Sequence, residues 1–169
     1  DVDDDLRVSP EEPLLALYSS AFDGRPHAAL LTQTAILYQN LVMGRAQNIS
    51  HGSVMLNSGP LFHLGTMIGM FATFHYGGVN IFIRRMDAET AVQLIERHRV
   101  THAFLPGPTL DQIAEINKDR RYDISSLFEK HDASDWTSKS AMCAPREAPI
   151  VRSPGGYGQT EVMGHVILR

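Results

Sequence analysis

Short apolar runs alternate with helical patterns along most of this chain, and this alternation constrains the fold more than any other feature. A bounded run of roughly four to eight apolar residues is typical of a buried strand, whereas apolar residues three or four apart indicate a helix. Strands that alternate with helices form parallel sheets covered on both faces. We therefore expect an α/β fold with a mostly parallel sheet flanked by helices on both faces. The predicted strands are Ser53–Ser58, Asn80–Ile83 and Thr101–Leu105, and the predicted helices are Gln33–Ile49, Leu64–Tyr76, Ala88–His98 and Thr109–Asn117.

Two of these helices carry start signals. Thr32 or Thr34 is suited to cap the first helix, and Asp87 is suited to cap the third, because short polar side chains accept hydrogen bonds from the first turn. The third helix is clearly amphipathic, with a predicted inner face of Ala91, Val92, Leu94 and Ile95.

The chain opens with a different element. Leu14–Ser19 and Ala28–Thr32 are predicted strands, and Asp23-Gly24 between them is a strong hairpin-turn signal. We therefore predict a short antiparallel hairpin at the start of the fold. The acidic residues 1–12 are interpreted as a linker, and residues 13–169 as a single α/β domain.

Composition narrows the classes of function. Of 169 residues, 43% are apolar and 20% charged, which is ordinary for a globular domain. The net charge of −4 comes without a basic block, so nucleic acid is excluded as an expected partner. A single cysteine excludes an internal disulfide, and no apolar run is long enough to be a transmembrane segment. We expect a cytoplasmic protein.

The segment from Gly156 to Glu161 contains several candidate ligand-binding residues next to one another. Glycine lets the backbone approach a ligand closely, an aromatic ring offers a stacking face, a threonine donates a hydroxyl, and a carboxylate binds a hard cation such as Mg²⁺. This set suits a nucleotide with its metal, although the same residues also form ordinary turns and helix starts. The segment reads Gly156-Tyr157-Gly158-Gln159-Thr160-Glu161.

Two further segments with candidate binding residues precede this one in the chain. The first reads Leu17-Tyr18-Ser19-Ser20-Ala21-Phe22-Asp23-Gly24-Arg25-Pro26-His27, and the second reads Pro60-Leu61-Phe62-His63-Leu64-Gly65. Together the three segments resemble the phosphate loop, the P-x-F-H segment and the Thr-Glu motif of the adenylate-forming superfamily, which includes acyl-CoA synthetases. The resemblance extends from about Pro13 to Gly164. Within the superfamily, the chain most resembles the acyl-CoA synthetases, or fatty-acid–CoA ligases.

The resemblance implies an enzyme that joins a carboxylic acid, fatty or aromatic, to ATP and passes the acyl group from AMP to coenzyme A. It implies that Glu161 holds Mg²⁺, that Thr160 contacts the α-phosphate, and that His63 lies near the carboxylate. It assigns nucleotide binding to Ser19, Ser20, Gly24, Gly156, Tyr157, Gly158, Gln159 and Thr160, with the ring of Tyr157 on adenine. The resemblance also implies that these residues are an internal fragment of a longer ligase and do not include the family's small C-terminal domain.

The phosphate loop departs from the family pattern. Ala21, Phe22 and Asp23 stand where the family has Gly, Thr and Thr, and His27 stands where it has Lys. Asp23 places a negative charge where phosphate would bind, so we expect weakened handling of the triphosphate. Because these 169 residues carry only part of the implied site, we expect no ligase activity from them alone. Two alternatives stay open: a catalytically degenerate adenylate-binding or scaffold domain, and an adenylation domain that loads a carrier protein. A homodimer is also open.

Other sites are less well supported. His98 and His102 have the spacing of metal ligands on one helix, but the helix is expected to end between them. The segment Tyr122–Leu127 resembles the family's Y-D-L-S-S-L sequence, after which Ala144-Pro145 alone resembles its acyl-binding turn.

The chain lacks a G-x-S-x-G elbow for hydrolase chemistry and a G-x-G-x-x-G dinucleotide motif.

Overall fold

The structure is a computed structural model that describes residues 8–21, 24–103, 105, 107–128 and 156–168. Its strands and helices alternate as the sequence predicts. The strands are β1 (Pro13–Tyr18), β2 (Ala28–Thr32), β3 (Val54–Asn57), β4 (Val79–Phe82), β5 (His102–Ala103), β6 (Gly156–Gln159) and β7 (Gly164–Leu168). The helices are α1 (Gln33–Ala46), α2 (Leu64–His75), α3 (Ala88–His98) and α4 (Gly107–Ile116), with 3₁₀ helices at Ser125–Phe128 and Thr160–Val162.

A three-stranded parallel sheet forms the centre of the described fold. Its strand order is β4-β3-β5, so β3 is the middle strand and pairs in parallel with both neighbours. The Thr101 hydroxyl accepts a hydrogen bond from the Val54 N–H at 2.9 Å, which ties the entry of β5 to the start of β3. The Thr101 N–H in turn donates to the Val54 carbonyl at 2.9 Å. Strand β5 lies within the predicted Thr101–Leu105, of which residue 104 is outside the described residues.

Helices cover both faces of this sheet. Successive residues of a strand point to opposite faces. Met55 of β3 joins a buried cluster with residues of α1 and α2, whereas Leu56 joins a separate cluster with residues of α3 and α4. The prediction of an α/β fold with helices on both faces of a parallel sheet is therefore confirmed, together with the initial hairpin, in which β1 and β2 pair antiparallel.

The predicted caps form as expected. The Thr32 side chain accepts a hydrogen bond from the Ala35 N–H at 3.1 Å, which fixes the start of α1. Asp87 accepts from the Thr90 N–H at 2.9 Å and begins α3, whose buried residues are Ala88, Ala91, Val92 and Ile95. Leu94 packs against this core only partly buried.

The ends of other helices differ from prediction. Helix α1 ends at Ala46, before the predicted Ile49, and α4 begins at Gly107, before the predicted Thr109. Proline fits the first turn of a helix, because the N–H that it lacks would have no partner there, so Pro108 can belong to α4.

The segment before the hairpin folds back on α1. The N–H of Thr34 donates to the Pro10 carbonyl at 3.1 Å, and its hydroxyl donates to the Glu11 carboxylate at 2.9 Å. The described part of the predicted linker is thus hydrogen-bonded to the first turn of a helix. Among the described residues, no helix combines the length and the apolar character needed to cross a bilayer.

Candidate functional site

The predicted phosphate loop connects β1 to β2. Ser19 closes its base, because its N–H donates to the His27 carbonyl at 2.9 Å and its Oγ accepts from the His27 N–H at 3.3 Å. Ser20 is exposed. Gly24 is also exposed and adopts a φ of +94°, a left-handed conformation that glycine takes without strain. Phe22 and Asp23, two of the departures from the family pattern, lie outside the described residues.

His63 lies at the start of α2 and is its N-cap. Its Nδ1 atom accepts a hydrogen bond from the Gly65 N–H at 3.0 Å. A neutral imidazole that accepts at Nδ1 carries its proton on Nε2, so this assignment leaves an N–H donor at the other side of the ring. The side chain is exposed, and it follows β3 at the carboxyl edge of the parallel sheet, where open α/β folds bind ligands.

The Gly156–Glu161 segment forms a strand and the start of a tight connection. Strands β6 and β7 pair antiparallel, with Gly156 opposite Leu168 and Tyr157 opposite Ile167. Gly158 and Gln159 are exposed in β6, and the 3₁₀ helix Thr160–Val162 follows. The ring of Tyr157, the predicted adenine-stacking surface, lies outside the described part of the structure.

Thr160 and Glu161 occupy the first two positions of that 3₁₀ helix. Thr160 is half-buried and Glu161 is exposed, while the Met163 N–H donates to the Thr160 carbonyl at 3.2 Å. A half-buried hydroxyl beside an exposed carboxylate can contact a phosphate and its metal from one side. The sequence-predicted pair thus lies on one turn.

One buried cluster lies beneath all three motifs. Met163, which follows Glu161 by two residues, is 1% exposed and belongs to this cluster. The cluster also contains Leu17 and Leu31 from the strands that flank the phosphate loop, and Leu64, the neighbour of His63. The 3₁₀ helix packs on β2, and β7 packs on α1 and α2. Packing therefore brings the three motifs to the border of a single core.

Gly164 permits this packing. Its φ of +122° is a conformation that L side chains rarely adopt, and a Cβ atom added there would lie 2.7 Å from Cδ1 of Ile68. The same added atom would lie 3.4 Å from Cδ of Gln39 on α1. The hairpin that carries Thr160 and Glu161 therefore sits directly against both helices.

The residues present fit a nucleotide with its metal in two respects. Among the described residues there is no group of three or more His, Cys, Asp or Glu side chains that could hold a metal without help. Mg²⁺ bound to nucleotides usually takes one or two carboxylates and fills its other positions with phosphate oxygens and water. The single exposed carboxylate of Glu161 matches that requirement. The Ser19 hydroxyl, whose oxygen already accepts one bond, can still donate its proton to an anion.

Shifted pKa values occur on the other side of the sheet. The pKa of Asp87 is lowered because the side chain and the backbone of Thr90 donate hydrogen bonds to its carboxylate. The pKa of Asp123 is lowered chiefly by hydrogen bonds from Ser125, with Arg99 contributing less at 3.6 Å. These shifts report on the helix cap and a surface turn, not on the nucleotide-binding motifs.

The spatial arrangement of the motifs agrees with a whole-chain family match. A family model described as AMP-binding enzyme matches residues 2–169. This chain belongs to the AMP-binding enzyme family. The family assignment confirms the resemblance to the adenylate-forming superfamily that the three motifs indicate.

Individual relatives refine the comparison. The chain is 30% identical over 173 residues to 4-coumarate–CoA ligase 1 of Oryza sativa subsp. japonica, covering 95% of this chain and 30% of the relative. It is 32% identical over 163 residues to 4-chlorobenzoate–CoA ligase of Pseudomonas sp. (strain CBS-3), covering 95% of this chain and 31% of the relative. The chain thus spans about a third of the length of these curated relatives.

A solved structure agrees with the fold. A putative long-chain-fatty-acid CoA ligase of Rhodopseudomonas palustris superimposes with a TM-score of 0.76, at 21% identity, over 96% of this chain and 40% of that one. The parallel sheet between two helical layers is therefore a fold that this chain shares with that solved structure.

The structure separates the two histidines considered for a metal site. His98 ends α3, whereas His102 is buried in β5, where its Nδ1 and Nε2 atoms lie 2.8 Å from the Thr101 hydroxyl and the Gln47 carbonyl. The expectation that they do not share a helix face is confirmed.

Residues 122–128 are described, whereas the predicted acyl-binding turn at Ala144-Pro145 lies outside the described residues.

Sequence reasoning missed the residues that seat the hairpin. Met163 and Gly164 fix its position, and Gln39 lies against it, yet none of the three was predicted to matter. The glycine directly after Val162-Met163 was the available signal, because a glycine that closes a hairpin often marks a close approach of backbone to another element.

Proposed function

We propose that the full-length protein is an AMP-forming acid–thiol ligase that activates a carboxylic acid as its acyl-adenylate and transfers the acyl group to coenzyme A. The observation that carries this proposal is the shared core beneath the phosphate loop, His63 and the Thr160–Glu161 turn. Three motifs that are far apart in sequence border one cluster, as a composite nucleotide and acid site requires. The CoA-ligase relatives named above support the same reaction class.

Each motif contributes a distinct interaction in this proposal. The Thr160 hydroxyl would donate a hydrogen bond to the α-phosphate, and the Glu161 carboxylate would hold Mg²⁺, which would supply positive charge beside the phosphates. The acid oxygen forms a bond to the α-phosphorus as the bond to the leaving pyrophosphate breaks. Ser19, Ser20 and Gly24 form the remaining phosphate loop. The β6 residues Gly156, Tyr157, Gly158 and Gln159 bind the adenosine side of the nucleotide, with the ring of Tyr157 on adenine.

His63 acts beside the reacting carboxylate. Because Nδ1 accepts from the backbone of Gly65, the Nε2–H donor is oriented away from α2 and can hydrogen-bond a carboxylate oxygen. In this role His63 positions the acid before adenylation and leaves room for the thiol afterwards.

The acid belongs to the aromatic or fatty class. The two curated relatives act, by name, on aromatic acids, and the solved structure is named for a long-chain fatty acid.

Substitutions in the Thr160–Glu161 turn test the proposal. In the full-length protein, Thr160→Val and Glu161→Gln are expected to lower acid-dependent ATP–pyrophosphate exchange by about 10²-fold or more, since each removes an interaction with charge in the transition state. Glu115→Gln is the matched control, because Glu115 is an exposed carboxylate on α4 whose recorded partner is Lys118. Exchange unchanged by both turn substitutions would contradict the assigned roles.

The altered phosphate loop defines the competing function. Asp23 and His27 replace residues that would hold phosphate, which favours a domain that binds adenylate without turning it over. If the unmodified protein is inactive and Asp23→Thr with His27→Lys produces exchange, the natural chain is the degenerate form. If the unmodified protein already exchanges, the degenerate reading is wrong, and product analysis with coenzyme A and with a carrier protein identifies the thiol acceptor.

A further inference from the structure

Helix α2 contacts both sides of the proposed active site. His63 caps its first turn, and Ile68 packs against Gly164, which closes the hairpin that carries Thr160 and Glu161. Both contacts are made by one continuous helix of about three turns. Whatever fixes α2 on the sheet therefore also fixes the distance between the imidazole and the hairpin.

Two neighbouring residues of the sheet hold α2 in place. Met55 of β3 and Asn80 of β4 are paired in the parallel register, so their side chains leave the same face of the sheet. A Cβ atom added to Gly69 of α2 would lie 2.9 Å from Cε of Met55. The Nδ2 atom of Asn80 donates a hydrogen bond to the carbonyl of Met70, the next residue of the helix, at 3.1 Å. The helix thus packs on Met55 and is hydrogen-bonded to Asn80.

A second asparagine orients the Asn80 amide. Asn57, the last residue of β3, is 3% exposed, and its Nδ2 atom donates to Oδ1 of Asn80 at 2.9 Å and to the Ile81 carbonyl at 3.4 Å. Because a carbonyl oxygen only accepts, the contact with Met70 assigns the nitrogen of the Asn80 amide and leaves its oxygen for Asn57. Both polar atoms of this amide are therefore used, one by β3 and the other by α2.

The bond to Met70 does more than satisfy a buried carbonyl. Met70 lies inside α2, where each carbonyl accepts from the N–H four residues later, so the bond from Asn80 is additional to the helical pattern. Hydrophobic burial is non-directional, whereas a hydrogen bond restricts both distance and angle. What the amide adds is therefore a defined position of the helix along the sheet.

We propose that Asn80 is a positioning residue for His63, because its bond to the Met70 carbonyl holds α2 where the imidazole lies beside the reacting carboxylate. The inference rests on the proposed function, in which His63 hydrogen-bonds the acid. Asn80 acts through the helix and needs no contact with either substrate. Its effect is confined to the acid side of the site, since the 3₁₀ helix Thr160–Val162 also packs on β2, and β7 packs on α1.

The test combines Asn80→Leu with His63→Asn in the full-length protein. Leucine is close to asparagine in size and removes both bonds of the amide, while asparagine at position 63 keeps a helix cap and removes the imidazole. Asn117→Leu is the matched control, because Asn117 also donates from Nδ2 to a backbone carbonyl at 3.1 Å, that of Tyr122. Asn117 follows α4 on the other face of the sheet, so its loss leaves α2 in place.

We expect Asn80→Leu to lower the kcat of acid-dependent ATP–pyrophosphate exchange by at least about tenfold with the KM for ATP unchanged, because misplacing a reacting group slows the chemical step. In the His63→Asn background the same substitution should lower kcat by less than about twofold, because the group that Asn80 positions is gone. Asn117→Leu should leave kcat unchanged in both backgrounds.

Asn80→Asp separates the two bonds of the amide. Aspartate keeps the oxygen that accepts from Asn57 and, being ionised at neutral pH, offers no donor to Met70. It should therefore show the same loss of kcat as Asn80→Leu, and it carries the comparison if the leucine variant does not fold. A folded Asn80→Asp variant with full kcat would overturn the inference.

Equal losses of kcat in the two backgrounds would also overturn the inference, because they would show a general effect on the fold. Exchange with no acid at all would instead count against the proposed function. In that case the nuclear Overhauser effect between the Cδ1 methyl of Ile68 and the Hα atoms of Gly164 decides the role of Asn80. A contact that weakens in Asn80→Leu supports the placement of α2 by this residue, and an unchanged contact overturns it.

Discussion

Gly164 lies against Ile68 so closely that a Cβ atom on Gly164 would come within 2.7 Å of Cδ1 of the isoleucine. This contact seats the hairpin of β6 and β7 on α2 and thereby fixes the position of Thr160 and Glu161. The φ of +122° at Gly164 adds a conformational requirement to the steric one.

We predict that Gly164→Ala weakens AMP binding as well as stability, because the hairpin must both strain and move. Residues held in such backbone conformations cost about 1–3 kcal/mol in general. Gly77→Ala is the control: Gly77 has a φ of +70°, and the nearest atom to an added Cβ is Nδ1 of the exposed His51 at 3.1 Å, so it introduces backbone strain without a core clash. Urea unfolding and AMP titration of both variants separate the two effects. Equal losses in the two variants would show that the Ile68 contact is unimportant.

A second close approach joins α1 to the end of α2. A Cβ atom on Gly44 would lie 2.2 Å from Cε2 of Tyr76, so no side chain fits there unless the ring moves. We predict that Gly44→Ala lowers the free energy of unfolding by about 1–3 kcal/mol, the usual cost of overpacking. Replacing the ring in the double variant Gly44→Ala/Tyr76→Leu should recover part of the loss. Additive losses in the double variant would exclude the ring as the cause.

His63 combines a structural role and a proposed chemical one, and substitution can separate them. His63→Ala removes both, and loss of an N-cap generally costs about 0.5–2 kcal/mol. His63→Asn retains a side chain that caps helices well but lacks the Nε2 donor. We predict that asparagine restores stability in urea unfolding, while acid-dependent exchange stays low in both variants. Activity that returns with the asparagine would mean that His63 acts only as a cap.

The cap of α3 predicts a dependence of stability on pH. Hydrogen bonds from Thr90 hold the pKa of Asp87 below its usual range, so the carboxylate form is favoured by folding. Its stabilising effect is present above the pKa of an unfolded aspartate, about 3.9, and is lost as the pH falls through the lower folded value. Asp87→Asn should therefore flatten part of the fall in urea stability between pH 5 and the acid limit. An unchanged pH profile would contradict the assigned shift.

The sequence predicts those elements whose local signals agree with their packing. Helix α3 runs from Ala88 to His98 as predicted, because Asp87 caps it and its apolar residues fall on one face. The parallel sheet follows from the alternation of elements alone. Ser19, His63 and Thr160 lie at strand ends or helix starts in the structure, and their binding roles belong to the proposed function.

Helix α1 shows where this reasoning fails. The spacing of Ile36, Leu37, Asn40 and Leu41 predicts a helix correctly, but it does not reveal that Leu37 and Leu41 are exposed while Asn40 is buried. Which face turns inward depends on contacts with α2 and β7, which are remote in sequence. The packing of the hairpin through Met163 and Gly164 cannot be predicted from the sequence for the same reason. It depends on contacts with helices about a hundred residues earlier in the chain.

The most direct test of the account is ATP–pyrophosphate exchange by the full-length protein with a panel of aromatic, fatty and amino acids. The account predicts exchange that depends on an aromatic or fatty acid and requires Mg²⁺, despite the altered residues of the phosphate loop. A folded protein that binds AMP but supports no exchange with any acid would contradict the proposed ligase activity and identify a degenerate adenylate-binding domain.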